Sequence, residues 1–228
     1  MTTLFHLPLD VTSRFVRLAL AEYEMEAHFE IEKVWDRRKA FLALNPAATV
    51  PVLKTDEELV LVGANPIIGF ISEGREDRGA PLMPSDAASR AEVRRLIDWA
   101  LILLEGDVTS TLVHEKAMKR QIPGKLGGGA PDTGAMRICR DNLQWHLDYT
   151  DHLIATRDWL AGERITLADL AFGAAYCTLD YLGEIKWADH APTKAWYARL
   201  KSRPSFDPLL AERVSGVIPP NHYADPDF

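Results

Sequence analysis

The residues best suited to chemistry follow a short apolar run near the start of the chain. Asp10, Thr12 and Ser13 come directly after residues 3–7, which have the composition of a strand, and precede an amphipathic segment. Hydroxyl and carboxylate groups in such a place can bind a ligand, and an ionised carboxylate beside a thiol would raise the thiol pKa. Side chains just before a helix more often cap its free N–H groups. We therefore predict a strand followed by a capped helix.

Cysteine and histidine form no recognisable metal or redox motif in the sequence. Cys139 and Cys177 lie far apart and lack CxxC spacing, which favours two free buried thiols. His146 and His152 are six residues apart, a spacing that turns them to different faces of a helix. The glycine-rich segment 121–134 lacks the preceding strand and the Gly-Lys-Ser/Thr ending of a phosphate-binding loop. We predict no metal and no cofactor, and we interpret 121–134 as a linker between helices.

Charge and hydrophobicity restrict the class of partner. The 228 residues include 26 Lys and Arg against 33 Asp and Glu, a formal net charge of −7. This balance does not favour nucleic acid or anionic lipid. The first six residues do not resemble an export signal, and the uncharged run 59–72 is shorter than the ~20 apolar residues that cross a bilayer. We expect a cytoplasmic protein with no nucleic-acid partner and no membrane span.

A change in hydrophobic pattern divides the chain. Residues 1–79 alternate short apolar runs with helical patterns, whereas the pattern beyond Pro84 is helical almost throughout. Thr166 and Asp169 have the spacing of a capping box ahead of a strongly apolar helix, residues 170–182. We predict an α/β domain over 1–79, an all-α domain over 85–211 with that helix as its core, and an extended tail over 212–228.

Four sequence blocks occur together in a specific order. They are residues 17–20 after the first strand, residues 45–46 with 50–53, residues 159–162 with 166–169, and residues 195–197 with 203–206. These blocks resemble the cytosolic glutathione transferase family. The resemblance implies a thioredoxin-like N-terminal domain, a helical C-terminal domain, a two-fold dimer and a cis peptide bond between Val50 and Pro51.

The glutathione site that this resemblance implies is altered in two places. Asp10 stands where the family has a serine or cysteine that engages the glutathione sulfur. Gly63 and Ala64 replace the Glu-Ser or Gln-Ser pair that holds the γ-glutamyl group. Only the backbone of Val50, before Pro51, keeps its place as a partner of the glutathione cysteinyl group, and one anchor of three disfavours tight binding. We interpret these five residues as a degenerate glutathione site, assign no catalytic residue and expect no enzymatic activity.

The tail beyond the family-like segment carries a further signal. Residues 214–228 contain three prolines and end with aromatic and acidic side chains. One interpretation is a strap that packs Ile218 and Tyr223 against the helical domain. The other is a recognition segment, in which prolines limit the entropy lost on docking and an aromatic beside carboxylates offers an anchor and specificity.

The tail, the opening at residues 7–10 and the altered site resemble a narrower family of transferase-like bacterial division proteins that bind FtsZ filaments. This resemblance implies a non-enzymatic homodimer, recruited to the division site, that promotes filament curvature and constriction. The candidate FtsZ contacts are Trp35, Tyr223, Asp225, Asp227 and Phe228. Trp35 has the alternative of packing beneath the turn at residues 37–39. Two other functions stay open: a glutathione transferase that uses Thr12 or Ser13, and a dimeric adaptor for another partner.

Overall fold

The computed structural model describes residues 1–74 and 81–225 of the chain. The chain divides into two compact units, Met1–Pro81 and Leu82–Phe228. Each unit has its own hydrophobic core, built from the apolar residues that the sequence pattern places at strand or helix spacing. No helix among the described residues has the length and the apolar character that a membrane span requires.

The first unit contains a four-stranded mixed sheet. Its strands are β1 (Thr3–His6), β2 (His28–Ile31), β3 (Val52–Lys54) and β4 (Val60–Val62), in the spatial order β2-β1-β3-β4. β1 runs parallel to β2 and antiparallel to β3, and β4 runs antiparallel to β3. Leu4 lies at the centre of the register, opposite Phe29 on one side and Leu53 on the other. This is the thioredoxin-like arrangement that the resemblance implies.

Three helices accompany the sheet: α1 (Val11–Glu22), α2 (Lys39–Leu44) and α3 (Ala64–Glu73). α1 buries Phe15, Leu18 and Ala19, the residues whose spacing predicts it, and it packs against α3. The sequence of residues 29–34 predicts a second strand, and this prediction extends too far at its end. β2 stops at Ile31, because Val34–Asp36 form a single turn of 3₁₀-helix.

The second unit is helical. It contains α4 (Ala87–Asp98), a π-helical stretch (Trp99–Thr109), α5 (Ser110–Lys116), α6 (Thr133–Ile154), α7 (Leu167–Tyr181), α8 (Ala191–Lys201) and the short α9 (Asp207–Leu210). Every residue of α7 is buried, as its near absence of charge predicts. Thr166 and Asp169 form the predicted capping box at its start.

Asp169 also joins distant parts of the helical unit. Its carboxylate accepts hydrogen bonds from the Leu160 N–H at 2.9 Å, the Thr166 N–H at 2.8 Å and the Trp196 indole N–H at 3.0 Å. These three donors belong to the two C-terminal sequence blocks on which the resemblance rests. The blocks therefore meet in space at one buried side chain.

The glycine-rich segment connects α5 to α6, as predicted, but it ends two residues early. α6 begins at Thr133 because the Asp132 carboxylate accepts from the N–H groups of Gly134 and Ala135 at 2.9 and 3.0 Å. Gly128 is needed for close packing within the segment. A Cβ atom at that position would lie 1.8 Å from the carbonyl oxygen of Ile122.

Candidate functional site

Asp10 forms the N-cap of α1. Its Oδ2 atom accepts from the Ser13 N–H at 2.6 Å and from the Thr12 hydroxyl at 2.7 Å. Burial raises the pKa of the Asp10 carboxyl, against the opposing effect of these hydrogen bonds. The carboxylate is used to begin a helix, and its charge would disfavour an adjacent thiolate.

The two nearby hydroxyls belong to the first turn of α1, directly after the connection from β1. Thr12 donates to Asp10, and the buried Ser13 Oγ accepts from the Leu7 N–H at 3.4 Å. Ser13 is completely shielded from solvent. Both residues lie inside α1 and neither hydroxyl caps a helix N–H group, because Asp10 takes that role. The predicted capping is therefore wrong for Thr12 and Ser13, whose hydroxyls instead bond Asp10 and Leu7 in the connection. These contacts favour a structural role for both hydroxyls over stabilisation of a bound thiolate.

The loop before β3 contains Val50 and Pro51, two residues of the predicted site. Val50 and Pro51 are joined by a cis peptide bond, as the resemblance implies. Asn45 shapes this loop, because its amide donates to the Thr49 carbonyl at 2.8 Å and accepts from the Ala47 N–H at 3.1 Å. Val50 is half-buried and Pro51 is buried.

Gly63 and Ala64 form the start of α3 beside this loop. The Gly63 N–H donates to the Pro51 carbonyl at 2.9 Å. This hydrogen bond brings the Val50–Pro51 and Gly63–Ala64 parts of the predicted site together. Gly63 has a φ of +87°, a conformation that favours glycine. The buried Ala64 adds only a methyl group. Because the Gly63 N–H already donates to Pro51, these two residues leave a ligand at most the Ala64 N–H. They lack the carboxylate, amide or hydroxyl with which the family holds the γ-glutamyl group.

Trp35 lies in the 3₁₀ turn after β2 and is half-buried. An ion-pair cluster closes the segment that contains it. The Arg38 guanidinium pairs with Glu30 at 2.8 Å and with the wholly buried Glu32 at 3.0 Å through its Nε atom. Because Glu30 and Glu32 precede the turn and Arg38 follows it, the cluster fixes the turn that carries Trp35.

The C-terminal strap, which we define as residues 214–225, packs on the helical unit through Tyr223. This side chain is completely buried, its hydroxyl donates to the Leu209 carbonyl at 2.9 Å, and its ring meets Tyr181 edge to face at 4.9 Å. The expectation that Tyr223 contacts a partner is corrected, since the residue is an internal anchor. The strap interpretation was right for Tyr223 and wrong for Ile218, which is 94% exposed.

The other candidate contacts of the tail come after Tyr223 in the sequence. Asp225 is exposed, and its N–H donates to the His222 carbonyl at 3.1 Å. Asp227 and Phe228 lie outside the described residues. Of the five predicted contact residues, the structure thus places Trp35 in the first unit and Asp225 on the surface of the second.

Two family models and a near full-length relative match the chain. The models described as the N-terminal and C-terminal domains of glutathione S-transferase cover residues 12–73 and 115–204. The FtsZ-localized protein A of Caulobacter vibrioides is 42% identical over 229 residues, which cover 99% of this chain and 98% of that protein. The chain belongs to the glutathione S-transferase family.

Solved structures of similar proteins agree with this membership. A glutathione S-transferase from Sinorhizobium meliloti is 49% identical with a TM-score of 0.96, and both chains are covered completely. The structure of FzlA from C. crescentus has a TM-score of 0.92 at 42% identity, covering 100% of this chain and 99% of that one. The predicted family resemblance and fold class are confirmed.

Sequence reasoning missed an aromatic cluster on the π-helical stretch of this transferase-like fold. Trp99 stacks on Tyr149 at 4.0 Å and on Trp145 at 5.2 Å, and its indole N–H donates to His146 at 3.1 Å. Burial lowers the pKa of His146, opposed by the nearby Asp107. The spacing of Trp145 and Tyr149, one helical turn apart, could have indicated the cluster.

One group within the described parts of the chain has spacing compatible with a metal ion. Ligand atoms of Asp148, Asp151 and His190 lie within 4.8 Å of one another. Asp151 Oδ2 is 2.7 Å from His190 Nδ1, and its Oδ1 accepts from the Thr193 N–H at 2.9 Å and from the Thr193 hydroxyl at 2.6 Å. Both Asp151 oxygens thus accept hydrogen bonds from the protein itself. We therefore interpret the group as a structural one that holds the start of α8 in place.

Proposed function

We propose that this protein is a non-enzymatic homodimer that binds FtsZ filaments and promotes their curvature and constriction at the division site. The observation that carries the proposal is the 42% identity to the FtsZ-localized protein A over nearly the full length of both chains. The exposed Asp225, at the end of the C-terminal strap, offers a candidate contact that uses none of the residues of the degenerate glutathione site.

The geometry of the degenerate site supports a binding role over conjugation. Asp10 caps α1 and presents negative charge where a thiolate would form, which opposes activation of glutathione. At the start of α3, Gly63 and Ala64 leave a ligand at most the Ala64 N–H and no polar side chain. Backbone groups near Val50 remain, but they alone would have to offset the entropy that a flexible tripeptide loses on binding.

The proposed mechanism follows from two-fold symmetry. A homodimer carries two copies of one surface, so it can bridge filaments or neighbouring subunits. It bends a filament if it binds the bent arrangement more tightly than the straight one, because a ligand shifts an equilibrium by its difference in affinity. We propose Trp35, Asp225, Asp227 and Phe228 as residues that contact FtsZ, and Tyr223 as the anchor of the strap that leads to Asp225. Binding to FtsZ would recruit a cytoplasmic protein to the division site.

Co-sedimentation with FtsZ filaments assembled in GTP tests this proposal. The full chain is compared with a chain that ends at Ala224, which keeps the buried Tyr223 and removes the candidate contacts Asp225, Asp227 and Phe228. We expect the full chain to pellet with filaments, to curve them in electron micrographs and to lose both effects on truncation. An Ile218→Ser variant is the control for a change on the same strap. Equal pelleting of the full and truncated chains would refute the tail contact, and absence of pelleting by the full chain would refute FtsZ binding.

Catalysis by a glutathione transferase is the second candidate function. It is favoured by the 49% identity to the glutathione S-transferase from S. meliloti and by the cis peptide bond at Val50 and Pro51. The test is conjugation of glutathione to a generic aromatic electrophile, together with retention on immobilised glutathione. Activity that is lost in a Thr12→Val variant would support this function and contradict the non-enzymatic proposal.

A further inference from the structure

The C-terminal strap covers a buried charged pair. Lys201, the last residue of α8, and Asp180, near the end of α7, are each 1% exposed. Their charged atoms, Nζ and Oδ2, are 3.8 Å apart. A buried ammonium group is stable only when other groups satisfy its hydrogen bonds. The strap supplies one of these groups.

Both charged residues bind the same residue of the strap. Lys201 Nζ donates to the His222 carbonyl at 3.1 Å, and Asp180 Oδ1 lies 2.8 Å from His222 Nε2 on the imidazole ring. Asp180 is held in place in turn by the Trp187 indole N–H at 2.8 Å. We call Lys201, Asp180 and His222 the latch. Because it holds the backbone and the side chain of one residue, it fixes both the position and the direction of the strap at that point.

The beginning of the strap is held by a different side chain. The Tyr181 hydroxyl accepts from the Val214 N–H at 2.8 Å and donates to the Val217 carbonyl at 3.1 Å. Between the two attachments the strap passes through Ile218, which is exposed and adds little packing. The Arg120 guanidinium also donates to the Gly216 carbonyl of the strap. The path of the strap therefore depends on these directional polar contacts, on the latch and on Tyr223.

We propose that Lys201 and Asp180 are positioning residues that fix the C-terminal strap, and with it the location of Asp225 and the FtsZ contact. The part that concerns FtsZ rests on the proposed function. The part that concerns the strap stands on the geometry of the latch alone. An apolar strap could be held by burial, but the latch adds a requirement for charge at two defined positions in α7 and α8.

Hydrogen exchange measured by mass spectrometry tests the latch on the full chain. In a Lys201→Met variant, peptides from residues 214–225 should exchange about tenfold faster, as expected for loss of one charge-assisted hydrogen bond. Peptides from the core of α7 should keep their protection. Lys186→Met, the same chemical change at an exposed lysine, is the matched control. Unchanged exchange of the strap in Lys201→Met would overturn the proposal.

A second variant, His222→Ala, tests the latch if Lys201→Met fails to fold. His222 lies on the strap itself with its side chain 38% exposed, so His222→Ala should fold and should also speed exchange of residues 214–225. FtsZ co-sedimentation of the same proteins then separates the two parts of the inference. Faster exchange with binding reduced about tenfold supports it. Faster exchange with unchanged binding overturns the positioning role. If the unmodified chain does not pellet, the FtsZ part fails with the proposed function, and exchange still decides whether the latch fixes the strap.

Discussion

Replacement of Asp169 should be among the most destabilising changes in the helical unit. Its Oδ1 atom accepts from the Leu160 N–H and the Trp196 indole N–H, and its Oδ2 atom accepts from the backbone and the hydroxyl of Thr166. Leu160, Trp196 and Thr166 are all buried. Asp169→Ala would therefore leave three N–H donors without an acceptor.

The size of the effect follows from these contacts. Each orphaned buried donor costs about 1–3 kcal/mol, and because water can enter part of the vacated space we expect about 4 kcal/mol in total. Asp169→Asn keeps an oxygen for Leu160 and Trp196 but turns an amide N–H₂ group toward the Thr166 N–H. It should cost about 1.5 kcal/mol, the cost of one orphaned donor.

Urea denaturation followed by circular dichroism measures both free energies of unfolding. Asp141→Ala, an exposed aspartate on α6, is the control and should change stability by less than about 0.5 kcal/mol. Equal losses for Asp169→Ala and Asp169→Asn would refute the assignment of donors to separate oxygens. A loss below about 1 kcal/mol for Asp169→Ala would refute the count of orphaned donors altogether.

Three further predictions concern the candidate site and the pH dependence of stability. Asp10→Ser places a hydroxyl where the family has a serine or cysteine. It should not produce glutathione conjugation, because Gly63 and Ala64 still lack polar side chains. A conjugation rate well above that of the unmodified chain would contradict this expectation. Arg38→Ala should release the turn that carries Trp35 and weaken FtsZ co-sedimentation. The control Arg37→Ala leaves the ion pairs of Arg38 with Glu30 and Glu32 intact and should not weaken it. Equal effects of the two variants would contradict a role of the ion-pair cluster in FtsZ binding. Hydrogen bonds and charge from Arg95 and Arg157 lower the pKa of Glu92 to about 2, so its contribution is present above its ordinary pKa of 4.5 and is lost as the pH falls toward 2. Glu92→Gln should therefore cost about 1 kcal/mol at pH 7, after allowance for solvent screening, and almost nothing near pH 2; a difference from the unmodified chain that does not change with pH would contradict this.

Local patterns made much of the fold predictable from the sequence. The capping box at Thr166 and Asp169 and the apolar helix after it depend on neighbouring residues, and both are present. The residues of the candidate site could also be selected from the sequence, because Val50 and Pro51 lie in one of the four blocks and Asp10, Gly63 and Ala64 lie close to the blocks along the chain. Their interpretation as a degenerate glutathione site stays a prediction. The cis bond at Val50 and Pro51 came from family resemblance, since an X–Pro pair alone permits either isomer.

Features that depend on tertiary contacts were not predictable in the same way. Tyr223 in the sequence is an aromatic residue near a chain end, and only its contacts with Leu209 and Tyr181 show that it is an anchor. Lys201 follows a helical pattern as an ordinary terminal lysine, and its burial depends on a segment twenty residues later. The end of β2 was misplaced for a related reason, because the Arg38 pairs with Glu30 and Glu32 favour a turn where propensity favours a strand.

The attachments of the C-terminal strap involve different residues from the proposed FtsZ contact at the end of the chain. Tyr181, Lys201 and Tyr223 all lie before Asp225 in the chain, and their hydrogen bonds to the strap end at His222 and Tyr223. Selection for a different partner could therefore act on terminal positions that make none of these hydrogen bonds. In engineering terms, residue 225 is a graft point at which a foreign recognition peptide could be displayed on an otherwise unaltered transferase scaffold.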